Sequence, residues 1–233
     1  MIYVKQSYKI GDSYEFMREY PDKHFDLILT DPPYGIGESN EKNLKRGGRT
    51  NFDKKPRRKI VSATDFGHYD WDKQRIDKKY FDEMMRISKN QIIFGGNYYT
   101  DYLYPSSCWI IWDKRNGSND FADCEIAWTS FKSAIRIFRY KWNGMLQEDM
   151  KRKEKRVHPT QKPVALFEWI LKKYAKKGDL ICDPFCGSGT LLAACRKTDL
   201  ECVCFEKNPD YEQNIVDRGM INVLPLTEYF RGV

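Results

Sequence analysis

An aspartate, two prolines and a tyrosine stand in a row at Asp31–Tyr34, directly after the apolar run LILT at Leu27–Thr30. Ending a buried strand on an acid puts a carboxylate where α/β sheets open their ligand crevices. Proline fixes its own φ and restricts the residue before it, so Asp31 and Pro32 are both held extended. A carboxylate, the backbone carbonyls of Pro32 and Pro33, and the Tyr34 ring are then presented at fixed relative positions. That set suits a flat heterocycle bearing an exocyclic amine: the ring stacks on Tyr34, and the amine donates to Asp31 and to a proline carbonyl. The plain alternative is a turn with no ligand.

A second constellation lies in LICDPFCGSGTLLAACRK, Leu180–Lys197. A strand, a tight turn with Gly187 and Gly189, and a helix follow one another. The glycines let backbone N–H groups approach a ligand that side chains would block, and the helix amino terminus faces it. Asp183 ends this strand and Glu206 ends the next, 19 positions after Gly187. That spacing is close to the ~20 residues expected for an acid that binds ribose hydroxyls. The turn is too short for a phosphate-cradling loop and lacks its Lys-Ser/Thr, which favours a nucleoside cofactor without phosphates. Cys182, Cys186, Cys202 and Cys204 do not have zinc-knuckle spacing and read as small core residues, so no metal is expected.

The elements that must position these groups follow from periodicity. Strands are expected at IYVKQ, FDLILT, QIIF, LICD and CVCF. Helices are expected at SYEFMREY, at KKYFDEMMRIS with Asp77 as cap, at PVALFEWILKKY from Pro163 to a stop at Gly178, and at TLLAACRK. Strands alternating with helices imply an α/β sandwich with a mostly parallel sheet. CWIIW, EIAWTSF and AIRIFRY make the middle β-rich and aromatic.

With 41% hydrophobic and 31% charged residues among 233, the chain is a single globular domain, 1–233, and not a disordered one. No apolar run reaches membrane-span length and the start lacks a signal-like stretch, so no membrane partner is expected. An odd seven cysteines without framework spacing point to a reducing cytoplasm. Charge is unevenly spread. Glu41–Lys59 holds nine Lys or Arg against two acids and Lys151–Arg156 five against one, while the whole chain is only +7. An acidic body with two basic segments fits a polyanionic partner.

DPPY at Asp31–Tyr34, HPTQKP at His158–Pro163 and DPFCGSGT at Asp183–Thr190 together resemble the S-adenosylmethionine-dependent amino-methyltransferases of DNA. The catalytic tetrapeptide precedes the glycine turn, a circularly permuted order similar to the β class of adenine-N6 and cytosine-N4 enzymes. FGGNYY, the stretch from Cys108 to Trp128, and WNGMLQ resemble phage and prophage members, so the likeness runs almost end to end. The resemblance implies a Rossmann-like three-layer methyltransferase sandwich, with a mostly parallel seven-stranded sheet whose last strands form an antiparallel hairpin. It implies catalysis by Asp31, Pro32, Pro33 and Tyr34. It places Asp12 of GDSYEFM near the cofactor's adenine, and gives its methionine end to His158, Thr160 and Lys162. Asp31, Asp183, Phe185, Gly187, Ser188, Gly189, Glu206 and Lys207 complete the cofactor set. The aspartate-led tetrapeptide resembles adenine enzymes, whereas a serine-led one is more usual for cytosine-N4. Cytosine-C5 chemistry would need a nucleophilic cysteine after a proline, and no Pro-Cys pair occurs.

The expected activity is site-specific adenine-N6 methylation of double-stranded DNA, as in restriction-modification. The alternatives are cytosine-N4 methylation and a non-catalytic specificity subunit of the same fold. A basic loop, 38–60, supplies Lys45, Arg46, Arg49, Lys54, Lys55, Arg57 and Arg58 for phosphates. Residues 115–156 stand where the family keeps its target-recognition region. Trp128, Trp142 and Asn143 are candidate contacts there, with core filling the alternative. Family members often pair, so a homodimer is possible.

Overall fold

Tyr8, Leu27, Leu29, Ile92 and Phe94 are buried on one side of a central sheet, while Ile28, Ile93, Cys182 and Phe205 are buried on the other. Successive strand residues point to opposite faces, so strands apolar at nearly every position need cover on both. The computed structural model describes residues 5–37, 72–117, 122–143, 146–218 and 221–222. The strands are β1 (Gln6–Ile10), β2 (Phe25–Thr30), β3 (Ser88–Phe94), β4 (Trp109–Asp113), β5 (Cys124–Thr129), β6 (Arg136–Arg139), β7 (Trp142–Asn143), β8 (Leu146–Gln147), β9 (Leu180–Asp183), β10 (Glu201–Glu206) and β11 (Ile221–Asn222). The helices are α1 (Ser13–Arg18), α2 (Lys78–Ile87), α3 (Val164–Tyr174), α4 (Thr190–Thr198) and α5 (Glu212–Asp217).

One core joins α1 and α2 to the sheet through Met17, Phe81, Met84 and Ile87. The opposite core uses Leu166, Phe167, Ile170 and Leu171 of α3 with Leu191, Leu192 and Cys195 of α4. Burying each large apolar side chain contributes about 1.5–3 kcal/mol. The result is the expected three-layer sandwich. No described helix is long and apolar enough to cross a membrane.

Among the described residues the main sheet has nine strands, in the order β11-β1-β10-β9-β2-β3-β5-β4-β6, and β7 pairs with β8 separately. The expected seven are its centre; β5 runs antiparallel to both neighbours, β3 and β4, and with β4 forms the expected antiparallel pair. The two additions are edge strands: two-residue β11 beside β1, and mostly exposed β6 beside β4. Edges bury little, so they carry no strong apolar signal.

Two local expectations shift. Of the strand expected at Ile2–Gln6, residues 2–4 lie outside the described residues; β1 runs Gln6–Ile10, where pairing with β10 buries Ser7, Tyr8 and Lys9. Helix α3 begins after Pro163 as expected but ends at Tyr174. There Ala175 takes an extended backbone, and the Asp179 carboxylate accepts from the Lys176 N–H to form a turn. Asp77 occupies the N-cap position of α2 without a side-chain cap bond.

The topology explains how distant segments meet. Strands β2 and β9 lie side by side, with Leu27 opposite Ile181 and Ile28 opposite Cys182. From them the chain proceeds outward in opposite directions, β2 toward β3 and β9 toward β10. This is a topological switch point, and the crevice opens beyond the carboxyl ends of those strands. Residues 31–34 and 183–189 leave their strands into it.

Candidate active site

The crevice holds a cavity of about 480 Å³, whose lining includes Asp31, His158, Lys162, Asp183, Gly187 and Glu206. That volume lies within the about 300–1,000 Å³ of small-molecule sites. Gly187 and Gly189 adopt φ values of +53° and +77°, the left-handed region that favours glycine. The nearest atom to a side chain built on Gly187 would be His158 Nε2 at 3.7 Å. The turn is therefore open to a ligand.

Four carboxylates, Asp12, Asp31, Asp183 and Glu206, stand in its otherwise mostly apolar walls. Glu206 accepts from Gly187 N at 2.7 Å and from Asn208 N at 2.8 Å. Burial pushes its carboxyl up to about 7, against the pull of those donors. Asp183 accepts from Thr30 Oγ1 at 2.6 Å and from Phe185 N at 3.0 Å, and burial raises it to about 7 as well. Asp12 caps α1 through Tyr14 N at 2.9 Å and also receives Tyr80 Oη at 3.0 Å and Lys207 Nζ at 3.1 Å. His158 is held neutral, its pKa lowered to about 3 by burial and by the cations Lys162 and Arg156. Its Nδ1 accepts from Thr160 N at 3.3 Å, which leaves the proton on Nε2, beside Gly187.

Asp31 lines the same cavity. Tyr34 Oη donates to Asp31 Oδ1, and Lys162 Nζ lies 2.5 Å from Asp31 Oδ2. Burial pushes the Asp31 carboxyl up, and Lys162 pulls it back. The Lys162 ammonium, expected at the cofactor's methionine end, is engaged with Asp31 and, at 2.9 Å, with Glu125. Tyr99 Oη donates to the Pro33 carbonyl.

The Tyr34 ring is stacked on Tyr98, with centroids 4.9 Å apart and planes 18° from parallel. Arg75 secures Tyr98 by bonding its carbonyl at 2.6 Å while pairing with Asp101 at 2.8 Å. Backbone bridging between Tyr34 and Arg75, and Gly35 N donating to Asp72 at 2.8 Å, hold the chain after the tetrapeptide.

The structure thus gathers Asp12, Asp31, Pro33, His158, Thr160, Lys162, Asp183, Phe185, Gly187, Ser188, Glu206 and Lys207 around one cavity. Gly189 follows the turn as the N-cap of α4, and Tyr34 stands behind Asp31. Tyr80, Tyr98, Tyr99, Lys114 and Glu125 join the surroundings of the site without being among the expected site residues. FGGNYY was the available signal for the two tyrosines, since two glycines after a strand mark a close backbone approach. Trp128 is 1% exposed and Trp142 7%, so both fill the core. Lys45, Arg46, Arg49, Lys54, Lys55, Arg57 and Arg58 lie outside the described residues. Of segment 115–156, β5 and β6 belong to the main sheet.

A mixed sheet with its switch-point crevice, glycine turn and strand-terminal acids defines a class I methyltransferase fold. Residues 97–217 match the model of the N6/N4 methyltransferase family, "DNA methylase", and the chain belongs to that family. It is 25% identical over 244 residues to the type II methyltransferase M.HpaI of Haemophilus parainfluenzae, covering 87% of this chain and 70% of that protein. It is 29% identical to M2.MboI of Moraxella bovis, covering 77% and 75%. The fold is shared with PvuII DNA methyltransferase, described as cytosine-N4-specific: TM-score 0.58, 15% identity, 96% of this chain and 89% of that one. It is also shared with the M1.HpyAVI complex with S-adenosylmethionine: TM-score 0.53, 21% identity, 91% and 99% covered.

Proposed function

We propose that this chain transfers a methyl group from S-adenosylmethionine to the N6 amine of adenine in double-stranded DNA. The observation that carries this reading is the placement of a doubly held Asp31 carboxylate on the wall of a cavity that the glycine turn and Glu206 also line. When bound, S-adenosylmethionine supplies an electrophilic methyl carbon on a sulfonium. Glu206 takes the ribose hydroxyls, and Asp12, with Tyr80 and Lys207, stands by the adenine. His158 offers its Nε2 proton to the methionine end. Phe185, Ser188 and Asp183 wall the nucleoside.

Asp31 and the Pro32 carbonyl accept the two hydrogens of the target amine. This draws its lone pair out of conjugation with the ring and aims it in line with the methyl carbon. A base stacked in duplex DNA cannot reach Asp31, so the target is flipped out and received beside Tyr34. The aspartate at the head of the tetrapeptide supports adenine over cytosine. The basic segment 38–60 grips the DNA backbone, target recognition falls within 115–156, and the protein works in the cytoplasm.

Incubating unmethylated plasmid with the protein and S-adenosylmethionine, then mapping modified bases at single-base resolution, tests this. N6-methyladenine at one recurring sequence is expected. N4-methylcytosine would reverse the choice of base, and unmodified DNA would leave only a binding module. Cofactor affinity should also depend on pH. Glu206 must be ionised to accept both ribose hydroxyls, and its raised value means that it gains charge as pH rises through about 7. Calorimetry is expected to show binding about tenfold weaker at pH 6 than at pH 8, a dependence that Glu206→Gln reduces. Glu206→Ala should cost about 1.5–3 kcal/mol of binding. An unchanged dissociation constant would remove Glu206 as the ribose anchor.

A further inference from the structure

The amine-accepting aspartate heads a row of four charged side chains that alternate in sign. Lys162, with its side chain 4% exposed, touches Asp31 Oδ2 at 2.5 Å and Glu125 Oε2 at 2.9 Å. Lys114 pairs with the other oxygen of Glu125 and lies over the Trp112 ring, 5.2 Å from its centroid. The four come from separate parts of the chain. Asp31 follows β2, Lys114 follows β4, Glu125 lies within β5, and Lys162 precedes α3. The register of β4 and β5, with Trp112 opposite Glu125 and Asp113 opposite Cys124, brings Lys114 and Glu125 together.

Such an array is a poor source of stability, because desolvating buried charges consumes most of what their attraction returns. Its geometry fits a different purpose. An ionised carboxylate offers about four lone-pair directions. Tyr34 occupies one on Oδ1 and Lys162 one on Oδ2, which fixes the rotation of Asp31 and leaves one acceptor direction on each oxygen. Lys162 has a flexible four-carbon stem and also lines the cofactor cavity. Without a second anion behind it, that ammonium is free to turn toward any carboxylate in the cavity.

We propose that Glu125 is a positioning residue for methyl transfer: anchored by Lys114, it holds Lys162 on Asp31, so that the carboxylate meets the target amine ionised and in one orientation. This role rests on the reading of Asp31 as the acceptor of the amine's hydrogens. The charged and titratable groups that bear on Asp31 are Lys162, Glu125 and Tyr34, with Asp183 nearby across the β2–β9 junction. Lys162 favours the ionised form, whereas burial and Glu125 oppose it. Removing Lys162 therefore moves the ionisation of Asp31 to higher pH.

The test is steady-state methylation of unmethylated plasmid by the full chain, with kcat, KM for DNA, cofactor dissociation constant and pH profile measured for each variant. Glu125→Gln is expected to lower kcat by about 10–10²-fold, the cost of misplacing a reacting group by about an ångström. Cofactor affinity should stay within about threefold. Lys162→Met is expected to shift the acid limb of the kcat profile upward. The double variant should be no slower than Lys162→Met, because Glu125 acts through Lys162. Wild-type kcat in Glu125→Gln overturns the proposal. So does a Lys162→Met protein that loses cofactor affinity with its acid limb unmoved, which is also the deciding variant if Glu125→Gln does not fold. A wild-type protein that leaves DNA unmethylated overturns the proposed function and this role together. Active wild type with an unaffected Glu125 variant overturns this role alone.

Discussion

Replacing Asp31 by asparagine is expected to lower methyl transfer by about 10²–10³-fold while cofactor binding changes no more than several-fold. The magnitude is that of removing one preorganised electrostatic contact to a group whose charge changes in the transition state. An asparagine keeps the shape and one acceptor oxygen, but its NH2 opposes the amine and it carries no charge. The cofactor is expected to lose little because its proposed nucleoside anchors, Glu206 at the end of β10 and Asp12 at the cap of α1, keep their own donors. Global unfolding does not explain such a loss, since Lys162 retains Glu125 as a buried counter-charge at 2.9 Å. Single-turnover methylation with saturating cofactor, alongside a thermal melt, separates chemistry from stability. Wild-type turnover in the folded variant would show that Asp31 does not face the amine.

The same residues show what a sequence reveals about such a site and what it hides. Asp31, Asp183 and Glu206 were legible because each ends an apolar strand, and the switch-point topology turns strand ends into pocket walls. The glycine turn was legible because left-handed backbone restricts residue choice. The reach of β1 to Ile10 was not. Its described residues bury Ser7 and Lys9, polar types that give no apolar signal, the latter satisfied by Glu19 at 2.6 Å. AIRIFRY signals a strand, but nothing in the mostly exposed residues of β6 fixes its place in the sheet. Glu125 and Lys114 were invisible for another reason. The β4–β5 pairing sets Lys114 against Glu125, and Lys162, which joins Glu125 to Asp31, is far from both in sequence. Periodicity reports which face a residue occupies, and says nothing about the charge that tertiary contact places opposite it.

Gly95→Ala is expected to cost activity by about 10²-fold through a residue that touches no reacting atom. Gly95 ends β3 at φ +67°, with its N–H donating to the Ile126 carbonyl at 2.9 Å. A Cβ placed there would sit 2.0 Å from Tyr34 Cε1, 2.5 Å from Cδ1 and 2.6 Å from Cζ, distances that no structure tolerates. One side must yield. The backbone is held by the sheet and by the turn that Tyr98 N closes onto the Gly95 carbonyl at 2.8 Å. The ring therefore moves, losing its stack on Tyr98 and its hydroxyl bond to Asp31. Alanine in the left-handed region adds about 1–2 kcal/mol of backbone strain. The two costs can be separated. With Tyr34 already replaced by alanine the clash disappears, and only the backbone strain of Gly95→Ala remains. Urea unfolding of wild type, both single variants and the double variant should give a coupling of at least about 1 kcal/mol, with the double variant more stable than the sum of the singles predicts. Additive stabilities would mean that the glycine does not seat the ring, and that Tyr34 is oriented by Asp31 and Tyr98 alone.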